Sequence, residues 1–461
     1  MLATGLVAAG TLVGATGAAA QDTGKQQGGG ASAVLDGLKV FDRALLHTQG
    51  ADGGQKTQEL PAGLFEMTVD GGGKLKTYCI DLHNPTQDQA KYQETPWDQT
   101  SLGSNENAGK IRWILQHSYP QVDDLAALAD KAEAGTLTEK TAAAGTQVAI
   151  WRFSDNADVD AADPQAEKLA DWLEDQAQNI AEPKASLALD ATAVSGKAGQ
   201  RLGPVTVRTD AGQVSVIPPA DASASGVKVT DKDGKPVTQA TDGTALYFDI
   251  PKDAADGTAT LTVQATTSVP VGRAFAGLTK SQTQILAGSS ESTVSATATA
   301  TWGSTGAVPA ITARKNCAKG GVDITVNNAG DQPFTFKLAG SEHTIAPGAV
   351  STVTIPVAED QAYDFTITGL NGFRKNIKGV LDCVTESGAT TGDNGTDTQN
   401  AKQPVPASTG TSSTGTEGGD LAATGGSSAT PVIAGIAIVL VVVGGGAVFL
   451  LRRKKAGTNG E

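Results

Sequence analysis

Residues 136–154 read TLTEKTAAAGTQVAIWRFS. Thr136 and Glu139 form a T-x-x-E capping box, so a helix is expected to start here. One turn to either side of Gln147 on that helix stand Ala143, Ala144, Ile150 and Trp151, all apolar and two of them small. Gln147 is therefore set within the core-facing stripe, where a primary amide without partners costs about 1–3 kcal/mol. The three alanines before it would let a second backbone come close.

The second informative stretch is Leu75-Lys76-Thr77-Tyr78-Cys79-Ile80-Asp81-Leu82, a strand by composition. The chain has three cysteines, Cys79, Cys317 and Cys383. Cys317 and Cys383 lie at opposite ends of one β-rich block and are expected to pair in an oxidising exterior. Closing a loop of that length would stabilise the block by about 4 kcal/mol. Cys79 is left without a partner, and an odd cysteine in an exported chain is either intermolecular or chemically special. A strand thiol beside a buried carboxamide offers one specific reaction. The sulfur attacks the side-chain carbonyl carbon of Gln147, ammonia leaves, and an internal thioester remains. Holding the two groups together supplies about 7–11 kcal/mol of the barrier, and apolar walls then keep water from the bond. Tyr78, Thr146 and Trp151 are the neighbours expected to form those walls.

Composition fits a surface protein of several modules. The 461 residues carry a net charge of −14, 39% apolar and 4% aromatic residues, and 56 glycines. That balance argues against nucleic acid as partner, since phosphate binding needs clustered Lys and Arg. Four of the five Trp fall within residues 34–182 (Trp97, Trp113, Trp151 and Trp172). Helices are expected around Ile111–Ser118, stopped by Pro120, and after Asp163-Pro164, an N-cap followed by Pro at N1. Leu64–Val69 and Leu75–Leu82 flank Asp70-Gly71-Gly72-Gly73, a hairpin signal. Residues 34–182 are thus expected to form an α+β domain. Residues 183–302 show short alternating runs, among them Val214–Ile217, Leu246–Ile250 and Ser292–Trp302, and read as an immunoglobulin-like β-sandwich. Residues 308–385 repeat that style in a smaller, disulfide-containing β-domain. Residues 21–33 read as a linker and 386–420, rich in Thr, Gly, Ser and Pro, as a disordered stalk.

The two ends imply export and anchoring. Residues 1–20 are apolar and end in Ala18-Ala19-Ala20, a signal peptide with a small-residue cleavage site but no basic start. Residues 431–451 carry no charge and span about 30 Å as a helix, the thickness of a bilayer core. Arg452-Arg453-Lys454-Lys455 open a tail, 452–461, expected to stay cytoplasmic. Just before the span, Leu421-Ala422-Ala423-Thr424-Gly425 (421–425) resembles a cell-wall sorting signal of the LAxTG type, read by class E sortases of high-GC Gram-positive bacteria. The resemblance implies cleavage between Thr424 and Gly425, attachment of Thr424 to peptidoglycan, and a membrane-held precursor.

Tyr78-Cys79-Ile80-Asp81 and Thr146-Gln147-Val148-Ala149-Ile150-Trp151 resemble the two signature segments of thioester (TQxA) domains of Gram-positive surface adhesins. Asn107–Pro120 is similar to the helix those domains place between the signatures. The resemblance covers about residues 36–182. It implies that an amine, typically a lysine on a target protein, attacks the thioester, that Gln147 becomes bonded to it, and that Cys79 leaves. No cofactor is implied, and the bond is spent once, so the protein is not expected to be an enzyme.

Two other functions compete. A passive structural subunit would use the modules only as spacers. A cysteine hydrolase would need Cys79 as nucleophile with His83 or His117 as base, yet His83 lies about 13 Å along an extended strand from Cys79. Asp155, Asp158, Asp160 and Asp163 crowd one loop and read as a solvated acidic segment, with Ca²⁺ as the alternative. Lys315 and Asn376 are the pair available for an isopeptide cross-link in residues 308–385.

Overall fold

The computed structural model describes residues 29–50, 53–369 and 373–384. The expected signal peptide, most of the 21–33 linker, the expected stalk and sorting signal with Thr424 and Gly425, the apolar stretch and the basic tail lie outside them. Among the described residues no helix is long and apolar enough to cross a membrane.

The first module opens with a long hairpin, β1 (Ser32–Gln49) and β2 (Gln55–Val69). Four residues, Asp70-Gly71-Gly72-Gly73, turn the chain into β3 (Lys74–Cys79), which pairs antiparallel with β2 from Phe65↔Thr77 to Thr68↔Lys74. After β4 (Lys91–Thr95) come α1 (Ala108–His117), α2 (Leu125–Lys131), α3 (Glu139–Ser154), β5 (Val159–Ala161) and α4 (Pro164–Gln176). α4 begins as its sequence dictates: the Asp163 carboxylate accepts from Gln165 N and Ala166 N ahead of Pro164 at the first turn. α3 starts two residues later than the T-x-x-E pattern suggests. Thr138 is its N-cap, and its hydroxyl and that of Thr141 bridge reciprocally to each other's backbone N–H. A threonine at the third helical position does here what the glutamate of a capping box usually does.

The sheet of this module departs from the sequence boundaries. Its order places two strands from residues 274–277 and 284–289 between β3 and β4. Those residues lie inside the 183–302 segment assigned to the β-sandwich, so 34–182 is not a self-contained α+β domain. The chain leaves the first module after α4, builds most of a sandwich, returns to complete the first sheet, and goes back with Ser292–Trp302. The linker is also shorter than its composition suggests. Ala31 and Ala33 are buried, Ala31 N donates to the Glu94 carboxylate at 3.1 Å, and β1 has begun by Ser32.

The second module packs a four-stranded sheet against a five-stranded one. Gly257–Thr267 and Ser292–Trp302 pair along their full length, and their alternation puts Leu261, Val263, Val294 and Ala296 inside. A buried ion network ties this module to the first: Arg273 contacts Glu94 at 2.9 Å and Glu182 at 2.5 Å, and Ser186 N donates to Glu94 at 2.9 Å. The terminal module (residues 309–384) packs a three-stranded sheet against a four-stranded one over Val322, Ile324, Phe334, Phe336 and Ile367. The Cys317–Cys383 disulfide closes it.

Candidate functional site

α3 is an unusual helix. Twelve of its 16 residues are buried, because it lies between the sheet on one side and α1 and α4 on the other. Gly145 is required by that crowding: a Cβ there would stand 2.4 Å from the Ala166 carbonyl oxygen of α4. The small residues Ala142–Gly145 thus bring neighbouring backbones close, and Gln147, fully buried, faces the end of β3.

Gln147 finds its partners on one residue. Cys79 N donates to Gln147 Oε1 at 3.0 Å, and Gln147 Nε2 donates to Cys79 O at 2.8 Å. The carboxamide therefore reads the Cys79 peptide from both sides, which offsets its desolvation. The sulfur turns to the following loop. Cys79 Sγ donates to Asp81 O at 3.2 Å and accepts from Asp81 N at 3.3 Å. The two sequence candidates are thus in direct contact, through the main chain of Cys79 rather than through its thiol.

The surroundings are dry and acidic. Tyr78 is fully buried and its hydroxyl donates to Tyr119 O at 2.7 Å. Thr146, also buried, donates to Ala142 O at 2.8 Å along its own helix. The buried Trp151 indole N–H has no acceptor at hydrogen-bonding geometry, but it stands near enough to the sulfur to oppose in part the effect of burial on the thiol. That effect dominates. Burial, reinforced by the carboxylates of Asp155 and Asp81, pushes the Cys79 thiol well above its ordinary range. The site residue that sequence reasoning misjudged is Asp155. It is the C-cap of α3, buried rather than part of a solvated loop, accepting from Leu82 N at 2.8 Å and Ser154 Oγ at 2.6 Å. Burial raises its pKa. Its position directly after the TQVAIWRFS run was the available signal.

Of the other acidic residues of that loop, Asp158 is exposed, and two have protein partners. Asp160 meets His47 at 3.1 Å and Arg152 at 3.5 Å, and Asp163 caps α4. The strand that covers Cys79 comes from far along the chain. Gln284 pairs with Cys79, and Ile80 N donates to Thr283 O at 3.2 Å. Of the histidines, His117 is exposed, stacked on Trp113 with its Nδ1 at 2.8 Å from Trp113 O. His83 follows in the loop, half-buried, and neither ring is a hydrogen-bond partner of the sulfur. Lys315 is buried in the field of Asp382 and Glu359, whereas Asn376 donates to Asp364 and Thr366 near the surface, so that pair is not assembled.

Residues 76–179 match the thioester-domain family. The chain carries a thioester domain. The match includes both signature segments, while the strands at 274–289 that complete the sheet fall beyond it. Residues 309–380 match the bacterial phospholipase C, C-terminal domain family, the terminal sandwich. No curated protein sequence matches the chain. Among solved structures, the Bacillus anthracis TIE protein is similar over 78% of this chain and 82% of its own, at 14% identity and TM-score 0.26. The thioester domain of the Enterococcus faecium TIE86 protein is similar over 60% and 97%, at 15% identity and TM-score 0.28. The E. coli chaperone DraB is similar over 42% and 98%, at 14% identity and TM-score 0.18.

Proposed function

We propose that the thioester domain forms an internal Cys79–Gln147 thioester and uses it to bond covalently to a surface target. The supporting observation is the paired hydrogen bonding of the Gln147 carboxamide to the Cys79 peptide. The Cys79 N–H on Gln147 Oε1 polarises the carbonyl that would be attacked and stabilises the oxyanion that would follow. A turn about the Cα–Cβ bond of Cys79 is the motion that carries the sulfur from the Asp81 peptide toward the carboxamide. The sulfur then adds to the side-chain carbonyl carbon, the C–N bond breaks, and ammonia departs with the thiol proton. Because burial keeps the thiol protonated, a base is needed. Asp155 has the character for it: buried, raised in pKa, and the largest source of negative field on the sulfur.

In the second step a target amine, a lysine of a protein being the expected class, attacks the same carbon. The C–S bond breaks, the thiol takes up the amine proton, and an amide joins Gln147 to the target. One turnover spends the site, so the protein acts as an adhesin rather than a catalyst. Anchoring at the cell wall through cleavage between Thr424 and Gly425 by a class E sortase, from a membrane-held precursor, completes the proposal.

The test is incubation of the purified protein with methylamine, followed by peptide mapping. Adduct on the Gln147 peptide, absent in Cys79→Ala, supports the function. An adduct that persists in Cys79→Ala, or none in the parent, overturns it.

A further inference from the structure

The terminal sandwich meets the first module on negative charge. Asp81 from the loop after β3, Asp360 from the turn before the strand Ala362–Gly369, and Asp382 beside Cys383 each bring a carboxylate oxygen within 4.8 Å of those of the other two. Asp81 is fully buried and Asp382 is 5% exposed. One oxygen of each is accounted for. Asn84 Nδ2 donates to Asp81 Oδ2 at 2.6 Å and to Asp360 Oδ1 at 2.9 Å, and Thr283 Oγ1 donates to Asp382 Oδ2. The second oxygens, Asp81 Oδ1 and Asp382 Oδ1, are buried and have no hydrogen-bond partner among the described residues. Lys315 is buried too and adds its field to Asp382, and among the described residues it forms no ion pair with any of the three.

Buried polar atoms are rarely left unpaired, and buried charges are paired or bind metal. The donors here are oxygens only, from carboxylates, which selects a hard divalent cation. Ca²⁺ takes such oxygens in a flexible geometry of about six to eight ligands, whereas Mg²⁺ demands a near-ideal octahedron, and a cluster drawn from a loop, a turn and a chain end suits the former. The half-exposed turn of Asp360 leaves a side open for entry and for water ligands.

We propose that Asp81, Asp360 and Asp382 form a Ca²⁺ site that fastens the terminal sandwich to the loop following Cys79. The proposal does not require the thioester to form, although Asp81 also holds the Cys79 sulfur through its main chain and adds to the field on the thiol. The test uses the full chain, stripped of metal with chelator and titrated with CaCl₂ by calorimetry, with thermal unfolding in parallel. One bound Ca²⁺ and a raised Tm are expected. Asp360→Asn is the discriminating variant: asparagine tolerates the positive φ of 57° found there, and loss of one charged ligand should weaken binding by at least about tenfold. No heat and no Tm change at about 5 mM CaCl₂ overturns the site. So does Ca²⁺ binding of unchanged strength in Asp360→Asn, which would put the ion elsewhere, or a preference for Mg²⁺.

Discussion

Cys79 and the Cys317–Cys383 pair occupy two modules of one chain, and their surroundings differ. In the terminal module both cysteines sit at the ends of a small sandwich, where the bridge spans 66 positions of sequence and closes a core of few large side chains. In the first module the core is extensive, and the lone sulfur is buried on the Asp81 peptide while Gln147 holds the Cys79 main chain. A small core gains from a covalent staple, whereas a large one stabilises itself and can bury a polar pair such as the Gln147 carboxamide and the Cys79 peptide. The contrast ties the role of each cysteine to the packing around it rather than to the thiol itself.

The largest effect that would break this comparison is expected from Cys79→Ala. It should abolish covalent capture of an amine-bearing target, read as a band stable to denaturant on a gel, while the fold survives with a loss of about 1 kcal/mol. Gln147→Ala should abolish capture as well and destabilise more, by about 2–4 kcal/mol, because the Cys79 N–H and C=O lose their buried partners. Capture that persists in either variant would remove the distinction between the two modules.

Arg273→Ala probes the joint that holds the covering strands in place. It leaves Glu94 buried without its ion partner, and should cost about 3–5 kcal/mol in denaturant unfolding. Replacing both Cys317 and Cys383 by alanine should cost about 4 kcal/mol, confined to unfolding of the terminal module, with capture by the first module unchanged. The smallest effect is that of Thr138→Ala, about 1 kcal/mol from loss of the α3 cap. These three sort stability from chemistry: none removes an atom of the proposed reaction.

Local signals in the sequence carried much of the fold. The strands Val214–Ile217 and Ser292–Trp302 match their alternation end to end, since period-two patterning is written residue by residue. α4 was equally plain from Asp163-Pro164. The pairing of residues 274–289 with β3 and β4 was not, because strand neighbours in a sheet are chosen by long-range packing that no local pattern records. That hairpin matters to the site, for Gln284 and Thr283 cover the strand end where Cys79 stands. That Gln147 would meet Cys79 was legible from a polar residue on an apolar helix face, though the expected partner was the thiol and the structure uses the main chain. Asp155 was read with the solvated aspartates of its loop, although its place directly after the TQVAIWRFS run set it apart from them. The start of α3 was misplaced because two threonines precede Glu139 and both have acidic or hydroxyl residues three positions on.

The covering hairpin also decides how the thioester should be sought. A fragment ending at residue 182 would leave the Cys79 strand without its neighbour, so the whole protein is the proper sample. Its intact mass, followed by mapping of the peptides that contain Cys79 and Gln147, is the decisive measurement. A mass lower than the sequence by one ammonia, with the two peptides joined and no thiol at position 79 after denaturation without nucleophile, is the expected result. A full mass with Cys79 titrating as a free thiol and Gln147 as an intact amide would contradict the proposed chemistry.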